Sequence, residues 1–89
     1  MSELTIRTAI VNRLRREGAY VLVTTGVATA GTPDLLVCYH GLYTALEVKA
    51  PKGYPSKLQT ATLERISRAG GVAKVVRSVR DAEAVMGWV

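Results

Sequence analysis

Apolar residues in the opening stretch "SELTIRTAIVNRLRRE", residues 2–17, recur at helical spacing through Leu4, Ile10, Val11 and Leu14, while Arg13, Arg15 and Arg16 dominate the polar set. Ser2 can cap this segment and Gly18 can stop it, so the pattern predicts an amphipathic helix. "AYVLVTT", Ala19 to Thr25, is rich in β-formers and predicts a strand, followed by the loop "GVATAGTP". "DLLVCYH" and "LYTALEVK" predict two more strands around Gly41. Both faces of each are largely apolar, which implies a sheet covered on both sides. "PKGYP" breaks the pattern, and "SKLQTATLERISRAGG" resumes it as a helix ended by Gly70 and Gly71. A last strand, "VAKVVRS", and a short helix, "VRDAEAVMG", complete the chain.

The predicted order is α, β, β, β, α, β, α, an α/β fold. The segment from the third strand through the helix to the fourth has the length of a right-handed crossover, which sets those two strands parallel in a mixed sheet. No internal repeat, low-complexity tract or linker interrupts the pattern, so residues 1–89 are expected to form a single domain.

Charge changes this picture at one place. In "GTPDLLVCYHGLYTALEVKAP", Gly31 to Pro51, Asp34 opens one apolar run, and Glu47 and Lys49 close the next. A turn centred on His40 and Gly41 pairs residues whose numbers sum to 81: Tyr39 with Leu42, Val37 with Thr44, and Asp34 with Glu47. Directly opposed side chains share a face with Cβ atoms roughly 4.5 to 5.5 Å apart. Two carboxylates so close repel unless a cation or a shared proton intervenes. Lys49, two residues beyond Glu47, falls on the same face by strand alternation. Two carboxylates suit a hard cation, and an adjacent ammonium can orient a water or offset phosphate charge. The competing reading makes Asp34 a turn residue and Glu47 with Lys49 an exposed ladder pair. The apolar "LYTAL" before Glu47 favours burial and hence the site.

Composition adds bounds. With 48% hydrophobic and 21% charged residues the chain is globular in character rather than disordered. A net charge of +5 favours a polyanionic partner such as nucleic acid. Cys38 is the single cysteine, which excludes an intrachain disulfide and suits a reducing compartment. No apolar stretch reaches membrane-spanning length and "MSELTIR" lacks a signal pattern, so the expectation is a soluble, cytoplasmic protein with no membrane partner.

The Asp of "GTPD", twelve intervening residues and then "EVK" resemble the Asp and Glu-x-Lys signature of the PD-(D/E)XK nuclease superfamily, on its restriction-endonuclease-like αβββαβ core with a mixed sheet flanked by helices. Gly31 two before the Pro33–Asp34 pair, Glu3 near the amino terminus and Gln59 in the following helix make the chain most similar to the VRR-Nuc family. The resemblance covers nearly the whole chain. It implies that Asp34 and Glu47 ligate Mg²⁺, with Mn²⁺ able to substitute, that the Val48 carbonyl is a further ligand, and that Lys49 positions or activates the attacking water. Glu3 resembles the acid contributed by the family's first helix; it also suits the helix macrodipole and a pair with Arg7. Gln59 resembles the family's helix glutamine near the metal; with Ser56 it also makes a Ser-x-x-Gln capping box. Arg13, Arg16, Lys52 and Lys57 are candidates for phosphate contacts or simply a solvated basic surface. His40 and Cys38 read as a turn and a strand residue.

The resemblance therefore implies a metal-dependent DNA endonuclease, selecting DNA by shape rather than base sequence, with four-way junctions as the narrower substrate. The rival is a nucleic-acid-binding module that keeps the fold without cleavage. Two symmetric incisions in a junction call for a twofold homodimer. The apolar tail of Met86, Trp88 and Val89 either supplies an interface for it or folds back on its own core.

Overall fold

The computed structural model describes all 89 residues. Helix α1, Glu3–Arg16, starts at Ser2, whose Oγ accepts the Thr5 N–H at 3.1 Å. Its buried stripe is Ile6, Ile10, Val11 and Leu14. Ile6 takes the place expected for Leu4, which is exposed. Positions 6, 10 and 14 advance by four residues along one face, whereas position 4 lies about 200° around the helix from position 6. The chain then turns at Gly18 into β1, Tyr20–Val23.

Strands β2, Leu35–Tyr39, and β3, Leu42–Val48, form an antiparallel hairpin in the anticipated register, from Tyr39 opposite Leu42 to Leu35 opposite Leu46. His40 and Gly41 have φ of 50° and 79°. Two consecutive left-handed residues match the twist of a two-residue hairpin, and glycine supplies the second without steric cost. Helix α2, Lys57–Arg68, leads to β4, Val72–Val76, and helix α3, Val79–Met86, follows. The sheet order is β1-β2-β3-β4, with the first two pairs antiparallel and β3 parallel to β4. The mixed sheet and the element order thus agree with the pattern in the sequence.

Alternation divides the sheet into two faces. Val21, Leu35, Val37, Leu46, Val48 and Val76 pack with the α1 stripe and Ala82 of α3 into the core. Trp88 and Met86 pack against the same cluster, so these two residues of the apolar tail fold back on their own chain, while Val89 stays exposed. Trp88 meets Tyr39 edge-on at 5.3 Å between ring centroids, and the Arg13 guanidinium lies 4.6 Å from its ring centroid. On the other face α2 packs over β3 and β4. Tyr20, Leu22, Cys38 and Tyr43 are left exposed there. The expectation of full cover on both sides therefore fails over β1 and β2. Two of the three helices pack on the core side, and α2 alone cannot span four strands. No helix is long and apolar enough to cross a membrane.

Candidate metal centre

Asp34 and Glu47 reach the half-covered face by different routes. Glu47 belongs to β3, beside Val75 of β4, and its side chain is 2% exposed although it carries two polar oxygens. Asp34 lies one residue before β2, where continuation of the hairpin register puts it opposite Glu47. Thr24, at the end of β1, fixes that segment. Its N–H donates to the Asp34 carbonyl at 2.9 Å, and its buried hydroxyl donates to the Pro33 carbonyl. Gly31 lets the preceding loop close. Its φ is +87°, and a Cβ there would come within 2.6 Å of Leu58 Cγ at the start of α2. Glycine is required on both counts.

The Asp34 carboxylate is aimed by the backbone of β3: Oδ2 accepts the Val48 N–H at 2.9 Å. The Lys49 Nζ stands 3.5 Å from Glu47 Oε2. The other Glu47 oxygen, Oε1, is buried without any hydrogen-bond partner. Such an orphaned carboxylate oxygen is costly in a folded protein unless something else satisfies it. Burial, and then the charge of Asp34, push the Glu47 carboxyl up to about 7, against the lowering influence of Lys49.

This donor set fits a hard divalent cation. Mg²⁺ is commonly held by one or two carboxylates, with waters and substrate phosphates completing its shell. Asp34 and Glu47 supply two carboxylates, and no third acid, histidine or cysteine is gathered with them. None of the four surface cavities is lined by Asp34, Glu47 or Lys49. The pair instead lies on the half-covered face of the sheet, with Glu47 buried and Asp34 half-buried.

The remaining candidates lie as follows. Glu3 is exposed in the first turn of α1 and does not pair with Arg7, which donates instead to Thr25 Oγ1 at 3.1 Å. Gln59 completes the capping box: its Oε1 accepts the Ser56 N–H at 2.8 Å and its own N–H donates to Ser56 Oγ. Arg13 is occupied within the chain, donating to Glu83 Oε2 at 2.9 Å and to Glu17 Oε1 at 3.0 Å beneath Trp88. Arg16, Lys52 and Lys57 are exposed. The supporting role of Thr24 left no mark in the sequence beyond a polar residue at the end of an apolar strand.

With this geometry in view, two solved structures are similar over nearly all of the chain. One is described as a VRR_NUC domain, at a TM-score of 0.82 and 23% identity, covering 98% of this chain and 97% of the other. The second, a VRR_NUC domain protein, has a TM-score of 0.74 and 19% identity, covering 98% and 86%. The chain has the VRR_NUC fold. No protein-family model matches the sequence, and no curated protein matches it either. Likeness at this identity establishes the architecture, and the VRR_NUC fold here carries Asp34, Glu47 and Lys49 together on one sheet face.

Proposed function

We propose that the protein is a metal-dependent DNA nuclease of the VRR-Nuc type, cleaving phosphodiester bonds with Mg²⁺ or Mn²⁺. One observation carries this reading: the buried, unpartnered Glu47 Oε1 beside an Asp34 held by the Val48 N–H, with Lys49 at the same place. Asp34 and Glu47 would hold the cation, with the Val48 carbonyl as a further donor. When bound, it supplies Lewis acidity toward a phosphate oxygen and makes water more acidic. The chain's own part is to present two carboxylates already aligned by β-sheet register. Lys49 orients the attacking water and offsets the negative charge that develops on the phosphate. The net charge of +5 favours a DNA backbone as the partner.

Branched DNA is the narrower substrate. A homodimer would place two such centres on a junction. The exposed apolar strip of Tyr20, Leu22, Cys38 and Tyr43, rather than the carboxy-terminal tail, is the surface that supports a second copy. Purified protein should cleave four-way-junction DNA faster than linear duplex in Mg²⁺ or Mn²⁺, and not at all in a chelator. Light scattering should show a dimer. DNA binding without cleavage of any substrate in either metal would replace the nuclease by a binding module. Cleavage by a monomer would remove only the paired-site geometry.

A further inference from the structure

The loop between β3 and α2, "APKGYPS", follows Glu47 and Lys49 directly in the chain and presents an exposed aromatic ring. It is pinned at two successive residues of β4's end: Lys49 N–H donates to the Val76 carbonyl at 3.0 Å, and Arg77 Nη2 donates to the Gly53 carbonyl at 2.8 Å. The Gly53 N–H closes a turn onto the Ala50 carbonyl at 2.9 Å. Gly53 thereby leans on Lys49, where an added Cβ would lie 3.6 Å from the lysine Cβ. Tyr54 comes next. It is 80% exposed, the Arg77 guanidinium is 5.4 Å from its ring centroid, and no hydrogen bond holds its hydroxyl. Pro55 after it restricts its backbone to extended conformations, and the capped start of α2 follows at once. An exposed ring on a loop fixed at both ends is preorganised without being used for packing. Exposed Lys52 and Lys57 flank it in sequence.

We propose that Tyr54 is a stacking platform for an unpaired nucleotide of the DNA, with Arg77 positioning the loop and Lys52 and Lys57 taking the adjoining phosphates. This rests on the nuclease reading and deepens it, since a ring one residue beyond the contact with Lys49 would select DNA with an unstacked base next to the cleaved bond. Aromatic rings surrounded by cationic side chains are the general means of holding single strands, because every base has a π-face whereas a duplex keeps its bases stacked. The phenolic hydroxyl has no part in this.

The test measures binding in Ca²⁺, by anisotropy of a fluorescein-labelled single strand and of a duplex, and compares Tyr54→Ala with Tyr54→Phe. Tyr54→Ala should weaken single-strand binding about tenfold and duplex binding less than about twofold. Tyr54→Phe should retain both. A 2-aminopurine placed in the single strand should be quenched by the wild type and by Tyr54→Phe but not by Tyr54→Ala. An unchanged ratio of single-strand to duplex affinity in Tyr54→Ala overturns the platform, as does an equal loss in Tyr54→Phe, which would assign the effect to the hydroxyl. Either result leaves wild-type Mg²⁺-dependent cleavage standing. A wild type that neither binds nor cuts any DNA overturns the platform and the nuclease reading together.

Discussion

Asp34 accepts a hydrogen bond from the backbone of Val48, the residue that separates Glu47 from Lys49. The first acid of the site is therefore tied to the strand that carries the second acid and the lysine. Its position follows from the register of the β2–β3 hairpin together with the Thr24 hydrogen bonds to the Pro33 and Asp34 carbonyls.

Removal of either acid is expected to abolish metal-dependent cleavage while leaving the fold and much of the DNA affinity. Asp34→Asn keeps an acceptor for the Val48 N–H, and Glu47→Gln removes a buried charge with little change of shape. Circular dichroism and Mg²⁺-dependent cleavage of labelled DNA check this. A fully active Asp34→Asn protein would sink the metal assignment.

Lys49→Ala separates the lysine's proposed chemistry from simple charge pairing with Glu47. Single-turnover cleavage at saturating Mg²⁺ should fall by about 100-fold or more, with a much smaller change in the metal concentration giving half-maximal rate. Weaker metal binding with an unchanged single-turnover rate would reverse that conclusion.

Stability in a chelator should depend on pH through Glu47. Its carboxyl is raised from 4.5 to about 7 in the folded chain, so the folded state holds this proton more tightly than the unfolded state. The stabilisation is fully present below the unfolded pKa and is lost as pH rises through about 7. The apo protein should thus lose on the order of 1–3 kcal/mol between acid and mildly alkaline pH, other groups being equal. Glu47→Gln should flatten that dependence. Mg²⁺, which favours the ionised carboxylate, should raise Tm more at pH 8 than at pH 5. Thermal unfolding across this range, with and without Mg²⁺, decides it, and an apo Tm that rises steadily from pH 5 to pH 8 in the wild type alone would contradict the assignment.

Gln59→Ala addresses a residue for which two roles compete. The capping box is formed in full, so the substitution should cost about 1 kcal/mol of stability with cleavage retained at a temperature where the protein stays folded. Lost cleavage at unchanged Tm would place Gln59 in the chemistry instead.

The hairpin register was legible in the sequence because the two-residue turn at His40 and Gly41 leaves little freedom once strand alternation is imposed. That was enough to bring Asp34, Glu47 and Lys49 together. The Asp34–Val48 hydrogen bond was not legible, since it joins a side chain to a backbone group whose direction depends on how the strand ends. Arg13 looked like one more surface cation because its partner Glu83 is remote in sequence and close only after α3 docks on α1. Leu4 fitted a helical spacing as well as Ile6 did until the phase of α1 against the sheet was set by packing. The open apolar strip escaped for a related reason: apolarity on a strand shows that a face prefers cover, and the number and placement of helices determine whether it is covered.

Trp88 is the only tryptophan of the chain. It sits against Arg13 and Tyr39 on the face of the sheet opposite the carboxylates. Its fluorescence is consequently a built-in reporter for the docking of the carboxy terminus on α1, separate from whatever occupies the other face. Denaturation of every variant above can be followed in the presence of metal or DNA without attaching a dye.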